Sequence, residues 1–189
     1  MLDYTRAEFA TIMCRALGLT EKVKMSKMLG ELCIFSDVND THWAQPYIKI
    51  ANEIGIINGY GNGIFGPEDQ VTNEQALKMI VCALGYEETA FNKGGYPNGF
   101  IAVTERLNIV ESCGITSYSL PSYRWQIAQM LYNALNIPVL NDKNASNSIN
   151  EDNIQDEEKT MQTLIEESYG KDEVWYEEWV DDGTFDWTN

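Results

Sequence analysis

The chain has 189 residues, 44% of them hydrophobic, and a formal net charge of −16 at neutral pH. That acidity disfavours nucleic acids and anionic membrane surfaces as partners, because both are held through lysine and arginine. There is no apolar run of the roughly 18 residues needed to span a bilayer as a helix. The charge is uneven: residues 141–189 hold 15 Asp/Glu against 3 Lys, and the first 140 residues are close to balanced.

Thr5-Arg6-Ala7-Glu8 opens the first predicted helix as a capping box. Thr5 accepts from the backbone N–H three residues on, and Glu8 reaches back to the Thr5 N–H. Phe9, Ile12, Met13, Ala16 and Leu17 form its apolar stripe, and Gly18 closes it. Residues 20–34 read as a connector with a short amphipathic piece, Val23 to Leu32. Phe35-Ser36-Asp37-Val38 and His42-Trp43-Ala44 lead into a second helix that starts at Trp43, has Pro46 in its first turn, and carries Tyr47, Ile48, Ala51, Ile54 and Ile57.

The connector from Asn58 to Gln70 contains four glycines and the turn signal Asn62-Gly63. It lacks the alternating acids and closing Glu of an EF-hand calcium loop. Thr72-Asn73-Glu74-Gln75 repeats the capping box, and the helix it opens runs through Ala76, Leu77, Ile80, Val81 and Leu84 to Gly85. A further helix is expected from Tyr96 to Ile109, then a shorter connector, Val110 to Leu120. Pro121-Ser122 introduces a helix through Ile127, Met130, Leu131, Ala134 and Leu135 that ends before Pro138.

These elements repeat. The stretch from Tyr4 to Gly18 aligns without gaps on Val71 to Gly85, and Arg124 to Asn136 aligns on Asn73 to Gly85. Tyr96 to Ile109 aligns on Trp43 to Ile56. The chain is thus read as a repeat domain over residues 1–140 and an acidic linker and tail over 141–189. The domain holds the second half of one unit (1–19), a full unit (35–87) and a diverged full unit (93–138). Met1 is followed at once by Asp3 and a capped helix, not by a basic stretch and an apolar core, so no signal peptide is visible. The leader and the first half of the first unit are expected upstream.

The tail changes character. Asn141 to Asp156 reads as a linker rich in Asn, Ser and Asp. Residues 156–169 suit a short acidic helix with Met161, Leu164 and Ile165 on one side. Val174-Trp175-Tyr176, Trp179-Val180, Phe185 and Trp187 are aromatics and valines set among acids. They read either as a solvated spacer or as a segment that docks on a protein partner or on the repeat domain.

Phe35-Ser36-Asp37-Val38, His42-Trp43-Ala44, Gly55-Ile56-Ile57-Asn58-Gly59-Tyr60, Phe65-Gly66-Pro67 and Thr5-Arg6-Ala7-Glu8 resemble the S-layer homology domain, over roughly residues 4–138. The resemblance implies an all-α fold of helix–connector–helix repeats in a pseudo-threefold arrangement, the first repeat partial. It implies an extracellular, non-catalytic role: attaching a surface protein to the bacterial cell wall through a secondary cell wall polymer that often ends in pyruvylated sugars. In that family such repeats commonly accompany extracellular catalytic domains. The alternative reading is a degenerate module of the same fold that binds another protein.

A pyruvate ketal presents a carboxylate on a polar ring. A helix N-terminus offers N–H groups and partial positive charge to such an anion, and an Arg in the first turn adds a bidentate fork. By resemblance the candidate polymer-binding residues are Arg6 and Arg124, with Asn73 at the equivalent place in the middle unit and Gly59, Tyr60 and Gly61 from the glycine-rich loop. Trp43 suits a sugar-stacking platform. Each has a structural alternative: the caps serve the helices, Trp43 serves the core, and the arginines form internal ion pairs.

No catalytic residues, cofactor or metal site are expected. His42 is the one histidine and has no nucleophile motif beside it. Cys14, Cys33, Cys82 and Cys113 contain no CxxC pair, which argues against zinc. They read as buried small hydrophobes, with a disulfide as the alternative.

Overall fold

The structure is a computed structural model that describes residues 3–140 and 159–169. Its described residues form eight helices and no sheet: α1 (Arg6–Ala16), α2 (Thr20–Leu29), α3 (Gln45–Glu53), α4 (Asn73–Ala83), α5 (Glu87–Asn92), α6 (Asn98–Arg106), α7 (Arg124–Ala134) and α8 (Met161–Tyr169). The all-α expectation holds. The 141–158 linker and the aromatic segment 170–189 lie outside the described residues.

The three equivalent long helices, α1, α4 and α7, begin where the capping pattern places them. Thr5 Oγ1 accepts from Glu8 N at 3.2 Å and Glu8 Oε2 accepts from Thr5 N at 2.7 Å. Thr72 and Gln75 make the same exchange at 3.4 and 3.3 Å. At α7 only half survives: Gln126 Oε1 accepts from Tyr123 N at 2.9 Å, and the Tyr123 side chain makes no cap. A missing side-chain cap costs a helix about 1 kcal/mol.

The segments leading into these helices join in a ring, which is the pseudo-threefold element of the fold. Thr5 bridges Gln70, Thr72 bridges Pro121, and Asp3 bridges Tyr123, each antiparallel. Val71 N donates to Tyr4 O and Ser122 N to Val71 O. From this ring α1 packs beside α4 and α4 beside α7; α3 packs on α1 and α6 on α4. Phe9, Met13, Ile48, Phe65, Ile80 and Leu84 are fully buried in the shared core. Each burial contributes roughly 1.5–3 kcal/mol of transfer free energy.

Several boundaries differ from expectation. α2 starts at Thr20 and stops at Gly30, whose φ of +66° is the left-handed helix end that glycine adopts freely. α5 was not anticipated. It has no side-chain cap, and Ala90 is its one buried residue, beneath which Val81, Phe100 and Val103 form a small second cluster. α6 ends at Arg106, short of Ile109. α8 starts at Met161; Met161 and Ile165 are buried and Leu164 is half-buried, as its apolar side predicts.

α8 fills the side of the bundle between α1 and α7. Val139 N donates to Lys159 O (2.7 Å), Gln162 N to Leu135 O (2.9 Å), and the hydroxyls of Thr20 and Tyr169 meet at 2.6 Å. A cavity of about 90 Å³ remains there, lined by Ile12, Arg15, Leu131, Leu135, Met161 and Ile165 among others.

All four cysteines are free thiols. Cys14 and Cys113 are buried and Cys33 and Cys82 half-buried. Burial pushes the Cys14 and Cys82 thiols up to about 12.

Candidate functional site

The glycine-rich loop after α3 is a built structure. Tyr60 N donates to Ile64 O and Ile64 N to Gly61 O, closing a hairpin whose central Asn62 and Gly63 have φ of +53° and +74°. Two positive φ values in a two-residue turn are what Asn-Gly favours. Gly59 presses against the Phe35 ring and the Ile64 carbonyl, where a Cβ would collide. The Phe35-Ser36-Asp37-Val38 motif holds the far side of this loop. Asp37 Oδ1 and Oδ2 accept from Phe65 N (2.9 Å) and Gly66 N (2.7 Å), and the Phe35 and Phe65 rings lie 5.3 Å apart.

Arg6, the first residue of α1, locks this loop onto the helix. Its Nε donates to Phe65 O at 2.9 Å and its Nη2 to Asn58 O at 3.2 Å. The guanidinium carbon sits 4.4 Å from the Tyr60 ring centre and 4.7 Å from that of Phe65. Arg6 is 5% exposed. Burial lowers its pKa, opposed by Tyr60, Asp69, Tyr96 and Asp37. A weakly hydrated, planar cation between two rings suits Arg and not Lys.

Tyr60 is 53% exposed and Tyr96 45%. Tyr96, in the connector to α6, lies near enough to feel the charges of both Arg6 and Tyr60. The Tyr96 hydroxyl donates to Glu74 Oε1 at 3.0 Å, and Lys78 Nζ lies 5.5 Å from the Tyr96 ring centre. Burial first, and then Glu74, raise the Tyr96 pKa. The surface between the two exposed tyrosines, referred to below as the Tyr60–Tyr96 groove, thus pairs each ring with a cation, Arg6 at Tyr60 and Lys78 at Tyr96, and places Glu74 beside Tyr96. The sequence singled out Arg6, Gly59, Tyr60 and Gly61 here, and missed Tyr96, Glu74 and Lys78. Helical spacing of Glu74 and Lys78 (i, i+4) hints at a shared face, but nothing local links them to Tyr60.

The remaining candidates lie elsewhere. Asn73 is buried. Its Nδ2 donates to Ser117 O and Leu120 O, and its Oδ1 accepts from Ser122 Oγ at 2.7 Å, so it stitches the shorter connector onto α4. Arg124 places its guanidinium carbon 4.1 Å from the Tyr4 ring centre. Trp43 is exposed just before α3, which starts at Gln45 and not at Trp43 as expected; it stacks on His42, which in turn meets Glu68 at 2.9 Å.

The expectation of open N–H groups at the helix starts is not met at α1 and α4. Arg6 N donates to Asp69 O, Ala7 N to Pro67 O and Glu8 N to Thr5 Oγ1; Asn73 N, Glu74 N and Gln75 N donate to Leu120 O, Tyr118 O and Thr72 Oγ1. The returning loop saturates each terminus. Any anion at this groove is read by side chains. Among the described residues, no cluster of three or more His, Cys, Asp and Glu could hold a metal ion.

Comparison with known proteins agrees with this architecture. The family model of the S-layer homology domain matches residues 34–77, the stretch from the Asp37 motif to the fifth residue of α4. Over 136 residues, 72% of this chain, the sequence is 38% identical to the Middle cell wall protein of Brevibacillus brevis. Over the same length it is 35% identical to the Surface layer protein of Brevibacillus choshinensis and 32% to the Cell surface protein of Thermoanaerobacter kivui. The match spans only 12%, 12% and 17% of those relatives' own lengths. Residues 34–77, with the loop that Asp37 and Arg6 hold in place, are an S-layer homology domain.

Proposed function

We propose that this chain is a non-catalytic attachment module that holds a surface protein on the bacterial cell wall, and that it does so by binding a secondary cell wall polymer whose sugars carry carboxylates, such as pyruvate ketals. The observation that supports this most is a pair of exposed tyrosines, Tyr60 and Tyr96, each with a cation against its ring, Arg6 and Lys78 respectively. Aromatic faces suit sugar rings. Arg6 and Lys78 supply local positive charge in a chain of net charge −16, which is where a carboxylate is drawn. Arg6 acts chiefly through its field and by fixing Tyr60, because it is nearly buried. Gly59 and Gly61 shape the loop that presents Tyr60.

The names of the relatives, a cell wall protein and two surface proteins, support the same reading. One groove carries the proposal. The equivalent position at α4 is Asn73, which brings no charge and is engaged with the 110–120 connector and Ser122. Arg124 with Tyr4, and the exposed Trp43, are secondary contact points for a long polymer.

The test is co-sedimentation with purified cell-wall sacculi, before and after chemical removal of the secondary polymer. Substitutions at Tyr60, Tyr96 and Lys78 probe the groove; each side chain reaches solvent, so the fold tolerates the change.

A further inference from the structure

Five large apolar side chains are exposed within ten residues of one another: Met25, Met28 and Leu29 on α2, then Leu32 and Ile34 on the connector after it. Met28 is 87% exposed and Ile34 75%. Met25, Met28 and Leu29, at i, i+3 and i+4, share one side of α2, and exposed apolar surface of this kind marks an interaction site. The same helix carries exposed Lys22, Lys24 and Lys27 against a single acid, Glu21, which pairs with Lys24 at 2.9 Å. In so acidic a chain, apolar and positive surface coincide on α2.

Residues 170–189 have the complementary chemistry. They hold Trp175, Tyr176, Trp179, Phe185 and Trp187, with seven Asp/Glu and one Lys. Their starting point is fixed. Tyr169, the last residue of α8, meets the hydroxyl of Thr20, the first residue of α2, at 2.6 Å. From Thr20 the residues Lys24, Lys27 and Met28 follow at i+4, i+7 and i+8, which places them along one side of the helix. α2 is about 15 Å long, and a 20-residue segment can reach up to about 66 Å. The acidic aromatic segment is therefore delivered to the head of the basic apolar stripe with length to spare.

We propose that residues 171–187 dock on α2 of the same chain. Their aromatic side chains cover Met25, Met28 and Leu29, and their carboxylates face Lys22, Lys24 and Lys27. The docked residues Met25, Met28 and Leu29 follow the C-terminal end of α1, whereas Arg6 of the proposed wall-binding site is at its N-terminal end.

The test uses the full chain labelled with 5-fluorotryptophan, whose five tryptophans give fluorine resonances assignable by single Trp→Phe substitutions. In the unmodified chain the Trp175 and Trp179 resonances are expected away from their positions in the urea-unfolded chain. They should return towards those positions in the double substitutions Met28→Asp with Leu29→Asp, and Lys24→Glu with Lys27→Glu, and move partway at 1 M salt, where charge attraction is screened. The Trp125 resonance, on α7, should stay fixed in every variant and so report an intact fold. Three results would overturn the proposal: tail resonances already at their unfolded positions; displaced resonances indifferent to both pairs of substitutions; or displacement that disappears on dilution, which marks exchange between two copies.

Discussion

Arg6 and Tyr60 are 54 residues apart in sequence, and the guanidinium of one lies 4.4 Å from the ring centre of the other. The contact joins a helix start to a loop from the next unit, and the same guanidinium holds two carbonyls of that loop. Arg6→Ala leaves both carbonyls without their charged donor. The expected loss is about 3 kcal/mol of unfolding free energy, read as a lower urea midpoint at an unchanged m-value. Arg6→Lys should recover only part of it, because a point charge cannot make both hydrogen bonds and lie between two rings.

Two glycines of the loop should respond for different reasons. At Gly61 a Cβ meets open space, so Gly61→Ala costs only the backbone penalty of its φ of +103°, about 1–2 kcal/mol. At Gly59 the Cβ collides with the Ile64 carbonyl and the Phe35 ring. Gly59→Ala should cost about 1–3 kcal/mol of overpacking and should also disturb Tyr60. Near-ultraviolet circular dichroism of the two variants separates these cases: Gly61→Ala keeps the native aromatic signal and Gly59→Ala alters it.

The capping boxes, the Asn62-Gly63 turn and the three long helices were legible in the sequence because each rests on residues within four positions of one another. α5 was hidden, since its six residues, Glu87–Asn92, carry no cap signal and take their shape from packing on Phe100. The groove was half legible. The loop announces itself through its glycines, but Tyr96, Glu74 and Lys78 reach it only through the pairing of units. The saturation of the helix starts by Asp69, Pro67, Leu120 and Tyr118 carbonyls was not legible at all, because carbonyls belong to every residue type.

α8 closes the α1–α7 side of the bundle with two side chains. Met161→Ala or Ile165→Ala should lower stability by about 2–4 kcal/mol, whereas Gln162→Ala, on the exposed side, should change it by less than about 0.5 kcal/mol. Thermal unfolding of the three variants checks this.

Buried thiols make the fold sensitive to alkali. Burial pushes Cys14 and Cys82 up to about 12 and Cys113 up to about 11, from 9.0 for an ordinary thiol. The folded chain thus keeps protons that the unfolded chain releases. Stability is fully present below about pH 9 and falls as pH rises from there towards 11 to 12. A urea midpoint series from pH 7 to 10.5 should be flat at first and then decline. At pH 8, a thiol reagent should modify half-buried Cys33 well before Cys14.

The central claim is that the Tyr60–Tyr96 groove binds a wall polymer. Its most direct measurement is the fraction of this chain that pellets with intact sacculi, compared with Tyr60→Ala, Tyr96→Ala and Lys78→Glu and with sacculi stripped of the secondary polymer. The predicted result is binding to intact walls, none to stripped walls, and a loss of roughly tenfold in affinity (about 1.4 kcal/mol) for each substitution, with unfolding midpoints near that of the unmodified chain. Equal pelleting with stripped walls, or full binding by all three variants, would contradict it.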